Sequence, residues 1–283
     1  VKLEKALKEA VEILQKNSIA SAILDARILI QYVLSLSRED IVFKALQIDI
    51  SENNQKKYFD LIDRRAKKIP LTHLTNNREF FANNFYVDEN VLDPRPDSEA
   101  LIEMIIKKFT KNSSLKICEI GCGSGCLIIS LLKHFEDWLG QAVDISNKAL
   151  LIAEKNANIN QVSNRINFLE SDLFKNLSND KIFDIIISNP PYIPTNDIEN
   201  LQDEVRLYEP RIALDGGLDG LDFYRKIAEQ SQKFLKNNGD IFLEIGYNQY
   251  QDVKNIFENN NFKFIDFQQD LSGIIRILQF QKN

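Results

Sequence analysis

The sequence predicts an α/β protein: a doubly wound, seven-stranded, mostly parallel sheet, preceded by a small N-terminal helical bundle and a β-hairpin linker. Three observations predict it. Apolar strand-like runs recur near residues 115–120, 141–145, 165–170, 183–188, 240–245, 262–267 and 274–280, and helical stretches separate the earlier ones. That alternation is what parallel strands joined by crossover helices require. Residues before about 70 instead repeat apolar side chains at helical spacing. Two short aromatic runs beside Asn-Asn pairs lie between these regions and read as a hairpin. The resulting division is 1–72 helical, 73–96 hairpin linker and 97–283 sheet domain.

In the helical region, Leu3, Ala6, Leu7, Ala10, Val11 and Leu14 form one apolar stripe. Ser21 opens a second helix expected to turn Ile23, Leu24, Ile28, Leu29, Tyr32 and Val33 inward. Ser37 and Asp40 have the spacing of a capping arrangement for a short helix through Val42 and Ala45. Ser51 is the expected cap of a fourth helix carrying Tyr58, Leu61 and Ile62, and Pro70 ends it. Its basic last turn, Arg64-Arg65-Ala66-Lys67-Lys68, reads as dipole compensation on a solvated face. In the linker, Asn76-Asn77 and Asn83-Asn84 are turn signals around Glu79-Phe80-Phe81 and Phe85-Tyr86-Val87. Pro94-Arg95-Pro96-Asp97-Ser98-Glu99 is a stiff extended segment leading into a helix from about Asp97 to Lys108.

The bulk numbers narrow the function classes. A chain of 283 residues is long for one ordinary domain and comfortable for one core plus a smaller partner. A net charge of −6 disfavours nucleic acid as the main partner, because a chain built to grip phosphates is usually basic. No apolar stretch reaches the length of a membrane span and the lysine-rich start lacks a signal-peptide core, so a cytoplasmic protein is expected. Cys118, Cys122 and Cys126 are spaced by three residues at both gaps, across a strand, a glycine loop and a helix start. Their side chains should diverge, which favours three small reduced side chains over a metal site.

Three strand ends carry the chemistry. The first is Ile117-Cys118-Glu119-Ile120-Gly121-Cys122-Gly123-Ser124-Gly125, a glycine turn that lets a ligand lie against backbone with a helix starting beneath it. Asp144 follows Gly125 by 19 residues at the end of the next strand, where an acid can accept both hydroxyls of a ribose. Together they indicate a nucleoside-bearing cofactor. The loop is G-x-G-x-G rather than G-x-G-x-x-G, and Glu119 would repel a pyrophosphate. That acid suits a cofactor with a cationic amino-acid end, as S-adenosylmethionine has, so a methyltransferase is favoured over a dinucleotide enzyme. At the third strand end, Asp172 could accept from an adenine amine and Leu173 could pack on its ring, although a helix cap would also explain Asp172.

The sharpest signal is Asn189-Pro190-Pro191-Tyr192, which follows the buried strand Phe183–Ser188. Proline lacks an N–H, so the loop cannot extend the ladder and its carbonyls stay free to accept. An amide oxygen, a free carbonyl and a ring face suit a planar NH2 group. A glutamine amide and an adenine amine both fit.

These residues together resemble the bacterial peptide chain release factor glutamine methyltransferases (the HemK/PrmC family), over essentially the whole chain. The resemblance includes Leu24-Asp25-Ala26-Arg27, Pro70-Leu71-Thr72-His73-Leu74, Arg78-Glu79-Phe80-Phe81 and Pro94 to Glu99. It continues through the glycine loop, Asp144 and Asn189 to Tyr192, then Tyr208-Glu209-Pro210, Ala213 to Gly217 and Asp219-Gly220-Leu221. It implies a Rossmann-like class I fold and transfer of methyl from S-adenosylmethionine to the glutamine of the Gly-Gly-Gln motif of class I release factors. Gly121, Cys122, Gly123, Ser124, Gly125, Asp144, Leu173 and Asn189 would contact the cofactor, and Asn189, Pro190, Pro191 and Tyr192 would hold the glutamine, with Asn189, Pro190 and Tyr192 as the catalytic set. Residues 1–72 would recognise the release factor, and a monomer without a metal is expected. The alternatives are a ribosomal protein glutamine methyltransferase, whose family usually has Arg-Ser-Pro where this chain has Arg95-Pro96-Asp97, and an adenine-amine nucleic acid methyltransferase. The chain departs from the family at Asp93, at Leu173 where an aromatic is common, and at Gly273-Ile274-Ile275-Arg276.

Overall fold

The computed structural model describes residues 2–37, 39–41, 47–111, 113–180, 182–270 and 272–283. In chain order its first elements are α1 (Leu3–Lys16), α2 (Ala22–Leu34), α3 (Glu52–Ala66), α4 (Leu71–Thr75), β1 (Arg78–Phe80), β2 (Asn83–Phe85), α5 (Glu99–Lys108), β3 (Lys116–Ile120), α6 (Cys126–His134) and β4 (Leu139–Asp144). They continue with α7 (Asn147–Ile159), β5 (Ile166–Glu170), β6 (Phe183–Ser188), α8 (Asp203–Tyr208), α9 (Asp222–Ser231), β7 (Leu235–Glu244), α10 (Tyr250–Asn259), β8 (Phe262–Gln269) and β9 (Ile275–Lys282). The chain divides into two compact units, Val1–Asn77 with Gln202–Tyr208, and Arg78–Leu201 with Glu209–Asn283.

The first unit is helical. The α1 stripe buries Leu3, Ala6, Ala10 and Leu14, with Leu7 and Val11 packed at its edge. α2 turns a different face inward from the one its apolar residues suggest. Ala22, Ala26, Leu29 and Ile30 are buried, whereas Ile23, Leu24 and Tyr32 are 54%, 56% and 52% exposed. Two causes act together. The alanines let the helices approach closely, and Asp25 must face inward to meet Arg65, whose Nε lies 2.7 Å from its Oδ2. The solvated reading of the basic run is corrected at the same place. Arg65 is buried, with Nη1 donating to the Ile69 carbonyl (3.1 Å) and Nη2 to Glu204 of α8 (2.7 Å).

The caps form as expected. Ser37 Oγ accepts from the Asp40 N–H at 3.1 Å while Asp40 accepts from the Ser37 N–H at 3.3 Å. The helix body through Val42 and Ala45 lies outside the described residues. Ser51 accepts from the Asn54 N–H and caps α3.

The second unit is built on a seven-stranded sheet of order β5-β4-β3-β6-β7-β9-β8. The first five of these strands pair in parallel, and β9 and β8 close the far edge antiparallel. Side chains alternate between two cores, one on each face, as a strand's two-residue period demands. Ile117, Ile185, Ile187 and Phe242 join the core under α5, α6 and α7, while Cys118, Ile186, Ile241 and Leu243 join the one under α9 and α10. The order places β3 beside both β4 and β6. The chain leaves β3 toward β4 on one side and returns through β6 on the other, and ligands bind at such a switch point.

The hairpin is present, but its turn differs from expectation. The two turning residues are Phe81 and Ala82, with φ of 47° and 55°, and Asn83-Asn84 lie in β2. Two consecutive left-handed residues match the twist of paired strands, although without glycine each costs roughly 1–2 kcal/mol. The Phe81 N–H donates to Glu99 (2.8 Å), which helps hold the turn. Behind the hairpin, buried Asn156 of α7 accepts from the Tyr86 N–H and donates to the carbonyls of Tyr86 and Ser124. It ties hairpin, helix and glycine loop together with all its polar groups partnered.

Removing one member of a buried ion pair strands the other charge, which typically costs about 3–5 kcal/mol. Asp25→Ala should therefore destabilise the helical unit toward the lower end of that range, because Glu204 still faces Arg65. Urea titration should measure the loss, and hydrogen exchange should localise it to α3. A change below about 0.5 kcal/mol would show that the pair behaves as a surface contact.

Candidate active site

At the carboxyl ends of the parallel strands lies a cleft of about 350 Å³. β3 delivers Glu119 and the glycine turn, β4 delivers Asp144, the segment after β5 delivers Asp172 and Leu173, and β6 delivers Asn189, Pro190 and Pro191. The ends of β3 and β6 are pinned to each other, since Ser188 Oγ donates to the Ile120 carbonyl at 2.7 Å.

The glycine turn has the conformation its residues allow. Gly121, Gly123 and Gly125 have φ of 71°, 52° and 75°. A Cβ on Gly121 or Gly123 would meet no protein atom within 4 Å, so both face open space at the cleft. Gly125 has the opposite role. A Cβ there would meet Ile129 and Ala153 at 2.9 and 3.2 Å, so this glycine lets α6 pack against α7.

The acids have unlike environments. Glu119 is buried, and its Oε2 accepts the Ile128 N–H in the first turn of α6 (3.1 Å), where the glycine cap has no side chain to do so. Burial pushes its carboxyl well above the usual range, the Ile128 bond opposes this, and the charge on Asp144 adds to the rise. Asp144 accepts from the N–H groups of Gly123 (2.8 Å) and Ser146 (2.9 Å). Burial raises its carboxyl while those backbone bonds pull it back. One buried and one half-buried acid in a single cleft make a poor phosphate site and a good site for a cation and hydroxyl donors. Exposed Asp172 also lines the cleft, and Leu173 beside it has a left-handed φ of 51°. The donor set and the open glycine backbone thus fit S-adenosylmethionine. Among the described residues, no group of three or more His, Cys, Asp or Glu could hold a metal ion.

At the β6 end, the Pro190 carbonyl and Asn189 Oδ1 receive no hydrogen bond from any described residue, while Asn189 Nδ2 donates to Ser98 (3.2 Å). Tyr192 is not among the cleft-lining residues. Its hydroxyl donates to Glu244 at 3.3 Å, and burial raises its pKa. The loop is braced from behind. A Cβ on Gly216 would meet Tyr192 Cα at 2.8 Å and the Pro191 carbonyl at 2.9 Å, so only glycine admits this approach. Gln249 Nε2 donates to the Tyr192 carbonyl at 3.0 Å.

Ser98, Arg95 and Glu209 lie in segments that carry the resemblance, but the sequence assigns neither them nor Glu244 a role in the site. Arg95 Nη2 contacts both Glu209 oxygens at 2.6 and 2.8 Å and joins the segment Asn90–Arg95 to the one carrying Pro210, Ile212 and Ala213, all on the cleft wall. Burial lifts the Glu209 carboxyl to about 7 despite Arg95. Glu244 ends β7 as Glu119 nearly ends β3, so an acid at a fourth strand end was a readable signal.

Comparison with known proteins adds independent evidence. Residues 95–204 match the family model "Methyltransferase small domain", and residues 5–75 match "PrmC N-terminal domain". The "Release factor glutamine methyltransferase" of Clostridium acetobutylicum is 37% identical, over 98% of this chain and 98% of its own length. The protein of the same description from Thermodesulfovibrio yellowstonii is 37% identical over 99% of both. Among solved structures, a Thermus thermophilus 16S rRNA N2 G1207 methyltransferase, in complex with AdoMet and guanosine, superposes with a TM-score of 0.53 at 16% identity, over 73% of this chain and 50% of that one. At that identity the likeness concerns the fold.

Burial raises the Glu244 carboxyl to about 7, against the opposing effects of Ser98, Arg276 and Tyr192. The folded state thus holds this proton more tightly than the unfolded chain does. The associated stability is complete below the ordinary carboxyl range and is lost as pH rises through about 7. The amount is on the order of 3 kcal/mol. Glu244→Gln should remove this loss, so the variant should gain on the wild type between pH 5 and pH 8 in paired urea titrations. A stability difference that stays constant with pH would show that Glu244 does not titrate there.

Proposed function

The chain belongs to the release factor glutamine methyltransferase family, and we propose that it transfers a methyl group from S-adenosylmethionine to the side-chain amide nitrogen of the glutamine in the Gly-Gly-Gln motif of class I release factors. The observation that carries the reading is a pair of unsatisfied acceptors, Asn189 Oδ1 and the Pro190 carbonyl, at the mouth of a cleft walled by acids.

An amide nitrogen is a poor nucleophile because its lone pair is delocalised into the carbonyl. Two acceptors on its two N–H bonds hold the NH2 group in one orientation and favour pyramidalisation. They also face the positive charge that develops on nitrogen. When bound, S-adenosylmethionine supplies an electrophilic methyl on a sulfonium. The protein's own contribution is placement: the glycine turn and Glu119 receive the cationic amino-acid end, Asp144 the ribose, and Asp172 and Leu173 the adenine. Tyr192, which does not line the cleft and whose hydroxyl is engaged with Glu244, would brace the loop rather than face the amide. No side chain need act as acid or base, since the product loses its proton after transfer. Proximity and fixed dipoles supply the acceleration. Residues 1–72 would grip the release factor. A chain starting at Arg78 should then bind cofactor but methylate intact release factor slowly, and full-rate methylation would remove that role.

Mass spectrometry of release factor incubated with the protein and S-adenosylmethionine should show one added methyl on the Gly-Gly-Gln peptide; label transferred to DNA instead would favour the adenine-amine alternative. Asn189→Ala should lower turnover roughly 100- to 1,000-fold with cofactor affinity retained. Asp144→Ala should chiefly weaken the cofactor by calorimetry, and an unchanged affinity would refute its ribose assignment.

A further inference from the structure

Behind Asn189 the side chains form a directed line of hydrogen bonds. Asn189 Nδ2 donates to Ser98 Oγ at 3.2 Å, and Ser98 Oγ donates to Glu244 Oε2. Glu244 Oε1 accepts from the Tyr192 hydroxyl at 3.3 Å. Ser98 and Glu244 are both buried. An ionised carboxylate can only accept, so Ser98 gives it its single hydrogen. Ser98 then offers lone pairs to Asn189, and only the Nδ2 hydrogens can meet them.

We propose that Ser98 and Glu244 are positioning residues that fix the rotamer of the Asn189 carboxamide, so that its oxygen and not its NH2 group meets the incoming amine. A carboxamide is nearly symmetric in shape, and either terminal atom would fit against the cleft. The reversed rotamer would set a donor against the substrate's N–H donors. Packing alone distinguishes the two poorly, whereas the Ser98–Glu244 line distinguishes them by hydrogen-bond polarity. The inference rests on the reading of Asn189 as the acceptor for the substrate NH2 group.

The line can also be reversed. Burial pushes the Glu244 carboxyl up to about 7. The charged and titratable groups facing it are Arg276 of β9, Asp97 of the turn before α5, Tyr192 of the loop, Tyr224 of α9 and Cys126 of α6. Arg276 is the one cation among them. A protonated Glu244 can donate to Ser98, whose hydrogen then turns to Asn189 Oδ1 and draws it away from the cleft. The ionised state is the competent one, so the single-turnover rate should rise with pH through Glu244's ionisation.

The test compares full-length wild type, Ser98→Ala, Glu244→Gln and Asn189→Ala. Single-turnover methylation of intact release factor is followed across about two pH units either side of that ionisation, with cofactor affinity measured by calorimetry. Ser98→Ala should lose roughly 10- to 100-fold in rate, keep its cofactor affinity within about twofold, and show no rise with pH. Glu244→Gln should also be flat with pH at retained cofactor affinity. A wild-type rate and pH rise in Ser98→Ala, with Asn189→Ala inactive, overturns the relay while leaving the proposed chemistry standing. Cofactor affinity that falls in proportion to rate overturns it as well. Full activity in Asn189→Ala would sink the underlying reading and the relay with it.

Discussion

Everything functional in this molecule depends on one constraint of parallel sheets. β3 and β6 are neighbours, yet the chain beyond β3 turns toward β4 on one side while β6 belongs to the half that continues on the other. No backbone crosses the gap between their carboxyl ends, so that gap opens as a crevice. The Ser188–Ile120 hydrogen bond holds the two ends at fixed spacing. Glycine turn and Asn-Pro-Pro loop therefore stand on one floor, and the spacing between them is set by the sheet.

Acids gather at the strand ends, in the cleft and just behind it, where burial makes charge costly. Glu119, Asp144 and Glu244 all have raised carboxyls, with burial as the largest cause for each. The protein tolerates this by giving every one of them hydrogen-bond donors: the first turn of α6, the glycine turn, and the Ser98–Tyr192 pair. An arrangement of this kind is unfavourable when empty and improves when a cation arrives, which is an electrostatic basis for selecting a sulfonium cofactor over a phosphate-bearing one.

The sheet was legible because strand alternation, glycine turns and terminal acids are local signals, and all seven strands occur where apolar runs were read. Errors arose where a tertiary contact overrode a local pattern. α2 was read by its largest apolar residues, but Asp25 and two alanines decide its rotation, leaving Ile23 and Leu24 outside. Arg65 looked like one member of a basic run and proved to be the centre of a buried cluster. The hairpin turn falls on Phe81-Ala82, where a contact distant in sequence, Glu99 accepting the Phe81 N–H, supports it. Of the candidate site, strand-end residues could be read directly. Glu244 carries the same local signal as an acid at a strand end, but nothing local marks its pairing with Ser98, because the contact spans 146 residues.

Two of the three cysteines, Cys122 and Cys126, line the cleft. A methyl sulfonium is an alkylating agent, and a thiolate is among the best nucleophiles a protein owns. Burial raises the pKa of both thiols, and the neighbouring carboxylates raise them further. Both shifts favour the protonated thiol, so a sulfonium held in this cleft would face thiols rather than thiolates. The acids at the strand ends thus also keep these two thiols in their less nucleophilic form.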